Sequence, residues 1–160
     1  MDLNYKQIND LSQSNYKKLL KNYKFNQEDA ELLQNLKNTA NIYTKELLIG
    51  FYEFILEFDH AKMFLHNSEI LQRHEKGIEN WYLNLFFVIY DEEYFEKLYL
   101  ISEIHVRIGL PAHYVNAAFS YIRSFLKDLL IKEKLVTSGD KVVIVSNASK
   151  DEKTILTIKI

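Results

Sequence analysis

The sequence predicts an all-α fold, and three observations predict it. Apolar residues recur at spacings of three and four along most of the chain to about Lys134, only 4 Gly and 1 Pro interrupt 160 residues, and polar capping residues stand where the periodic stretches begin. The length is that of one ordinary domain, so a single domain over 1–160 is expected, and no internal repeat is found. Hydrophobic residues make up 48% of the chain and aromatics 14%, with 11 Tyr and 10 Phe. Such a composition suits a core built around a flat ligand and equally a purely aromatic core, so it does not separate the two.

A polar helix is expected from about Asn4 to Leu20, within an N-terminal unit of 1–24. Asn26 then caps a second helix, with Gln27 to Asp29 in its first turn and Glu28 and Asp29 there complementing the helix dipole. The third runs from about Ala40 to Phe58 and is apolar at Leu47, Leu48, Phe51, Tyr52, Ile55 and Phe58. After a short crossing around His60 to Leu65, Ser68 is expected to cap a long helix whose stripe is Leu71, His74, Ile78, Trp81 and Leu85. Asp91 opens the next, and its buried stripe reads Tyr94, Leu98, Ile101, His105 and Ile108, so His105 points where the core lies. Gly109 ends that helix and Pro111 begins another, apolar at Val115, Phe119, Ile122, Leu126 and Leu129, which makes an antiparallel pair with a tight corner. These are the main helices, spanning 26–134. Val142 to Val145 and Ile155 to Ile160 are rich in β-branched residues and could pair as a hairpin. Ser149 and Glu152 instead have the spacing of a capping box, and on that balance a short final helix is expected over 149–160.

Charge and composition exclude several functions. Lys and Arg number 20 against 22 Asp and Glu, and no basic run would track a phosphate backbone, so no nucleic-acid partner is expected. No apolar run approaches the ~20 residues that span a bilayer, and the polar stretch from Met1 to Tyr16 does not resemble a signal peptide, so no membrane partner and a cytoplasmic location are expected. Without cysteine there are no disulfides, no thiolate catalysis and no sulfur-bound zinc or iron–sulfur site, which leaves histidine as the strong soft-metal ligand. Of the five histidines, His60, His66 and His113 fall at helix ends or connections and should be solvated.

A histidine on an apolar helix face is, taken alone, more often a core residue satisfied by backbone or water than a metal ligand. His105 departs from that expectation because it has an apolar stripe before it, a helix end one turn later and a second helix packed behind the Gly109–Pro111 corner. Such a setting holds one neutral imidazole rigidly in apolar surroundings, as an iron ligand requires.

The run Ile101-Ser-Glu-Ile-His105-Val-Arg-Ile-Gly-Leu-Pro-Ala-His-Tyr114, followed by Ala117-Ala-Phe119, resembles the proximal-helix signature of the globin-coupled sensors and their single-domain, protoglobin-like relatives. Phe51-Tyr52 resembles that family's Phe-Tyr pair, and Leu85-Phe86 through Asp91-Glu-Glu-Tyr94 its segment joining distal and proximal helices, so the likeness covers about Asn26 to Leu130. The resemblance implies a globin fold with an extra N-terminal helix, and haem b between the helix of His74 and that of His105. It makes His105 the proximal iron ligand, flanked on its stripe by Ile101 and Ile108, and Tyr52, beside Phe51, the distal donor to dioxygen or another diatomic gas. Taken alone, Tyr52 would read as a core-edge tyrosine; a phenol donating to partially negative dioxygen gains a charge-assisted bond of about 1.5–3 kcal/mol.

His74 stands where many relatives have an apolar residue. Three readings are open: a pocket-rim histidine, which is favoured, a second donor to the gas, or a sixth iron ligand. Gly77 and Ile78 would face the gas from the distal side. Arg107, off the stripe, reads as solvated, and Val115 replaces a second aromatic beside Tyr114, removing a phenol that could bond the proximal histidine. The resemblance further implies signalling through a homodimer interface to a separate output protein. The chain then reads as a free-standing sensor globin or a truncated relic of a longer one. An enzymatic role is not expected, because oxidising nitric oxide with dioxygen needs electrons and no flavin or nicotinamide motif is present. A haem-free interaction module is the other alternative, and the joint presence of His105 and Tyr52 argues against it.

Overall fold

The computed structural model describes residues 15–135, 141–144 and 156–159. Seven helices occupy the first of these stretches: α1 (Asn15–Asn22), α2 (Gln27–Asn35), α3 (Lys37–Ile55), α4 (Asp59–Phe64), α5 (Ser68–Phe87), α6 (Glu92–Arg107) and α7 (Ala112–Lys132). The expected helix from Asn4 is seen only in its last turns, because 4–14 lie outside the described residues.

The boundaries follow from local chemistry. Asn26 accepts from the N–H groups of Glu28 and Asp29 while the Asp29 carboxylate accepts from the Asn26 N–H at 2.9 Å, a complete capping box. Asp91 caps α6 through a bond from the Tyr94 N–H at 3.1 Å. The cap of α5 is Asn67, not Ser68: its backbone is extended and its side-chain oxygen takes the Ile70 N–H at 2.8 Å, which leaves Ser68 as the first helical residue. Leu36, itself in the right-handed helical region, ends α2 and starts α3, so α3 begins earlier than Ala40, and it closes at Ile55, with Phe58 in the following turn.

Helix α3 forms the spine, packing against both α5 and α7, while α2 packs against α5. Leu47, Phe51, Tyr82, Leu85, Phe86, Ile122 and Leu126 are almost wholly shielded at these crossings, and each such Leu, Ile or Phe side chain contributes about 1.5–3 kcal/mol. Aromatic rings extend the contact between α3 and α7. Phe54 stacks on Tyr121 at 5.4 Å, Phe51 meets Tyr121 edge-on at 6.1 Å, and Phe58 meets Tyr114 at 5.7 Å. Gly50 permits this approach, since a Cβ there would lie 2.1 Å from the Tyr121 hydroxyl.

The end of the chain corrects the expectation of a final helix. Lys141–Ile144 and Leu156–Lys159 form an antiparallel pair with Val142 opposite Ile158 and Ile144 opposite Leu156. Ser149 and Glu152, on which the helical expectation rested, lie outside the described residues. Within 156–159 the β-branched Thr157 and Ile158 favour the extended backbone, and the matching run at 142–144 supplies the partner.

Candidate functional site

The site lies where α5 and α6 part. Helix α6 is anchored by its first half, in which Tyr94, Phe95 and Leu98 are buried; Phe95 stacks on Tyr16 at 5.7 Å and Tyr94 meets Tyr90 at 5.2 Å. Beyond Leu98 the expected burial stops. Ile101 is 37% exposed, Ile104 45% and Ile108 49%. The stripe continues, but none of the described helices covers it, and that is the physical reason Ile101 and Ile108 are not the core residues their spacing suggested.

A cleft of about 360 Å³ opens between the two helices, lined on α5 by Gly77, Asn80, Trp81 and Asn84 and on α6 by Glu93, Tyr94, Lys97, Leu98 and Ile101. Gly77 has nothing within 4 Å of where a Cβ would stand. Ile78, expected beside it, instead packs with the core. Trp81 rests on Phe119 at 5.7 Å. Asn80, Asn84 and Lys97 were not singled out from the sequence, although 77, 80, 81 and 84 share one helical face, so following Gly77 along α5 would have found the first two.

His105 stands one turn beyond Ile101 on the same face of α6. It is half-buried, burial lowers its pKa so that the ring favours the neutral form, and among the described residues its ring nitrogens make no hydrogen bond. Its backbone is fixed by how α6 ends. Gly109 adopts φ +68°, its N–H bonds the Val106 carbonyl at 3.0 Å, and the Leu110 N–H bonds the His105 carbonyl at 2.9 Å. This is a Schellman motif, in which the left-handed residue falls four positions after the residue whose carbonyl is captured. The spacing of His105 to Gly109 and Leu110 is therefore a geometric requirement. Pro111, at φ −62°, then turns the chain into α7.

On α3, Tyr52 and Phe51 lie against His74 of α5. The Tyr52 hydroxyl and His74 Nδ1 are 2.6 Å apart, and the nearly buried Phe51 stacks with the His74 ring at 6.5 Å. Burial pushes the Tyr52 phenol far above its usual range, with the Glu75 carboxylate adding to the effect. Burial lowers His74, helped by repulsion from His105, so the two imidazoles are near enough for a charge on one to disfavour a charge on the other. His60, His66 and His113 are exposed as expected, as is Arg107. Tyr114 faces Phe58, His60 and His113, and no hydrogen bond joins it to His105.

This geometry has relatives. The protoglobin family model matches residues 12–157. The chain belongs to the protoglobin family. Its structure is similar to the globin domain of the Geobacter sulfurreducens globin-coupled sensor, with a TM-score of 0.69, 34% identity, and 72% of this chain and 76% of that one covered. In sequence the protoglobin resembles the diguanylate cyclase DosC of Escherichia coli K12, at 26% identity over 102 residues, 62% of this chain and 22% of that protein. The Shigella flexneri DosC matches over the same length at 26% identity, covering 27% of that protein. The protoglobin thus spans about a quarter of the length of these relatives. It is a sensor-globin domain with the helical globin fold, and its family implies haem binding. None of its described helices is long and apolar enough to cross a membrane.

Proposed function

We propose that this domain holds one haem b through His105, binds dioxygen on the opposite side near Tyr52, and signals the occupancy to an output unit. The observation that carries the reading is the exposed apolar second half of α6. Ile101, Ile104 and Ile108 are exposed around the turn that carries His105, whose ring is kept neutral by burial and has no hydrogen-bond partner among the described residues, and Ile101 lines an open cleft against α5. The residues present fit a flat, largely apolar macrocycle with polar edges: Trp81, Leu98 and Ile101 supply apolar walls, Gly77 leaves room, and Asn80, Asn84 and Lys97 sit where carboxylates would meet solvent. The sequence has no cysteine for thioether attachment, which supports a haem held without a covalent link.

When bound, haem would supply an iron able to coordinate an imidazole and a diatomic gas and to share electron density with the gas. The chain does the rest. His105 presents a neutral nitrogen from a backbone clamped by Gly109 and Leu110, so its position is transmitted to the α6–α7 corner. Tyr52, kept protonated by burial, is available as a donor to partial negative charge. His74 serves at the rim of the pocket, bonded to Tyr52. We infer that movement of His105 strains the corner and shifts α7, and that a homodimer passes this shift to the output, which in the DosC relatives is a diguanylate cyclase.

The test is the visible absorption of the purified protein supplied with haem, beside His105→Ala and His105→Gly with added imidazole. A Soret band that is lost or altered in the alanine variant and restored by imidazole in the glycine variant is expected. A wild-type protein without a Soret band, or a His105→Ala spectrum identical to wild type in the ferric, reduced and gas-bound forms, overturns the proposal.

A further inference from the structure

The 2.6 Å contact between the Tyr52 hydroxyl and His74 Nδ1 bears on the donor role assigned to Tyr52. A phenol has one hydrogen. If the phenol donates that hydrogen to Nδ1, Tyr52 has nothing left to donate to a gas, and the free polar hydrogen of the pair is the ring's Nε2–H. If Nδ1 carries the ring hydrogen instead, it donates to the phenol oxygen and the phenol hydrogen is released. Both arrangements are uncharged and both keep the contact, so they differ only in the tautomer of the ring. The rings are well held: Phe51 meets Tyr52 edge-on at 5.3 Å and stacks with His74, and the Tyr52 and His74 rings are themselves perpendicular at 5.8 Å. Burial keeps each partner in its neutral form, raising the phenol and lowering the imidazole.

We propose that His74 is a positioning residue whose tautomer decides whether the Tyr52 hydroxyl donates to a gas or back to the ring, so that gas selectivity belongs to the Tyr52–His74 pair. This rests on the reading of the chain as a haem domain that binds a diatomic gas. With no gas, or with carbon monoxide, which carries little negative charge, Tyr52 donates to Nδ1 and the ring keeps its hydrogen on Nε2. Dioxygen, with partial negative charge on its outer atom, gains a charge-assisted bond when the ring hydrogen moves to Nδ1. Water gives a proton to Nδ1 and takes one from Nε2, so charge and protons balance and nothing is oxidised. In that state the Nδ1–H donated to the phenol oxygen holds the hydroxyl in place and polarises it, strengthening its own donation.

Ring-nitrogen NMR of protein labelled with ¹⁵N-histidine reads the tautomer directly. Without haem, His74 is expected as the Nε2–H form with Nδ1 accepting, and Tyr52→Phe should shift the Nδ1 resonance. With haem reduced, the dioxygen form should move to Nδ1–H and the carbon monoxide form should not. His74→Leu should speed dioxygen loss by roughly three- to tenfold, leave carbon monoxide loss unchanged, and add nothing in a Tyr52→Phe background. His74→Asn, which keeps a polar group at the Nδ1 position, should recover most of the difference. Haem-free resonances that ignore Tyr52→Phe, identical tautomers with the two gases, or dioxygen loss unaltered in His74→Leu each overturn this inference while leaving a haem globin standing. A six-coordinate reduced spectrum abolished by His74→Leu also overturns it, since the ring would then be on the iron. A wild-type protein with no Soret band brings down the haem reading and the gas-facing role of the pair together.

Discussion

Helices α3 and α7 carry apolar stripes of the same spacing as α5 and α6, yet the two pairs end differently. Between α3 and α7 the stripes meet: Leu47, Phe51, Ile122 and Leu126 are buried, and Phe54, Phe58, Tyr114 and Tyr121 fill the remaining space with rings. On α5 and α6 Leu85 and Leu98 are buried, but past Leu98 the stripe of α6 is left in the open at Ile101 and Ile108, with Ile104 exposed beside them. Periodicity states which face of a helix is apolar and not what will cover it. Where covering side chains are supplied in the chain, as by Tyr121, the result is core. Where they are not, and a neutral imidazole stands on the uncovered face, the result is a seat for something the chain does not encode.

That contrast can be broken at the packed side first. Gly50→Ala places a Cβ 2.1 Å from the Tyr121 hydroxyl and 3.2 Å from the ring carbon bearing it. Tyr121 cannot move alone, because Phe51 and Phe54 contact its ring. Overpacking of this kind costs about 1–3 kcal/mol, so the denaturation midpoint of the haem-free protein should fall. Adding Tyr121→Phe removes the closest atom and should recover part of the loss; a Gly50→Ala protein as stable as wild type would show that the α3–α7 contact is looser than described. The next effect is at the corner. Gly109→Ala meets no atom within 4 Å, so its cost is conformational only, about 1–2 kcal/mol for a Cβ at positive φ. Gly109→Asn should cost less, since asparagine tolerates that region. Both should also weaken haem retention if the Leu110–His105 bond holds the ligand in place, and unchanged retention in Gly109→Ala would separate the corner from the site.

Much of this was legible in the residues. The caps at Asn26 and Asp91 are local and were read as they stand. Asn67 was passed over for Ser68 because two capping residues in succession compete and only the backbone angle decides. The corner after His105 was legible because α6 ends in a local motif of fixed spacing. The Tyr52–His74 bond was not, because it joins residues on α3 and α5 and depends on how those helices cross. Either side chain alone read as an edge residue or a rim histidine. The hairpin of 141–144 with 156–159 was read as one of two alternatives, from the β-branched runs, and set aside because a capping-box spacing upstream outweighed it.

The smallest expected effect is the sharpest test of the contrast, because its sign should differ between the two forms of one protein. Gly77 lies inside α5, exposed, with nothing within 4 Å of a would-be Cβ. By helix propensity alone, Gly77→Ala should stabilise the haem-free domain by about 0.5–1 kcal/mol, seen as a higher denaturation midpoint. Gly77→Phe should also fold without haem, since the ring enters open space, yet it would occupy the cleft opposite Leu98 and Ile101 and should cut haem uptake sharply in a Soret titration. Substitution at a core glycine would lower stability in both forms. A Gly77→Phe protein that takes up haem with a wild-type spectrum would mean that haem sits elsewhere than the cleft beside Gly77. If uptake is lost while the haem-free domain stays folded, the glycine is kept for the space it leaves, against its own cost to the helix.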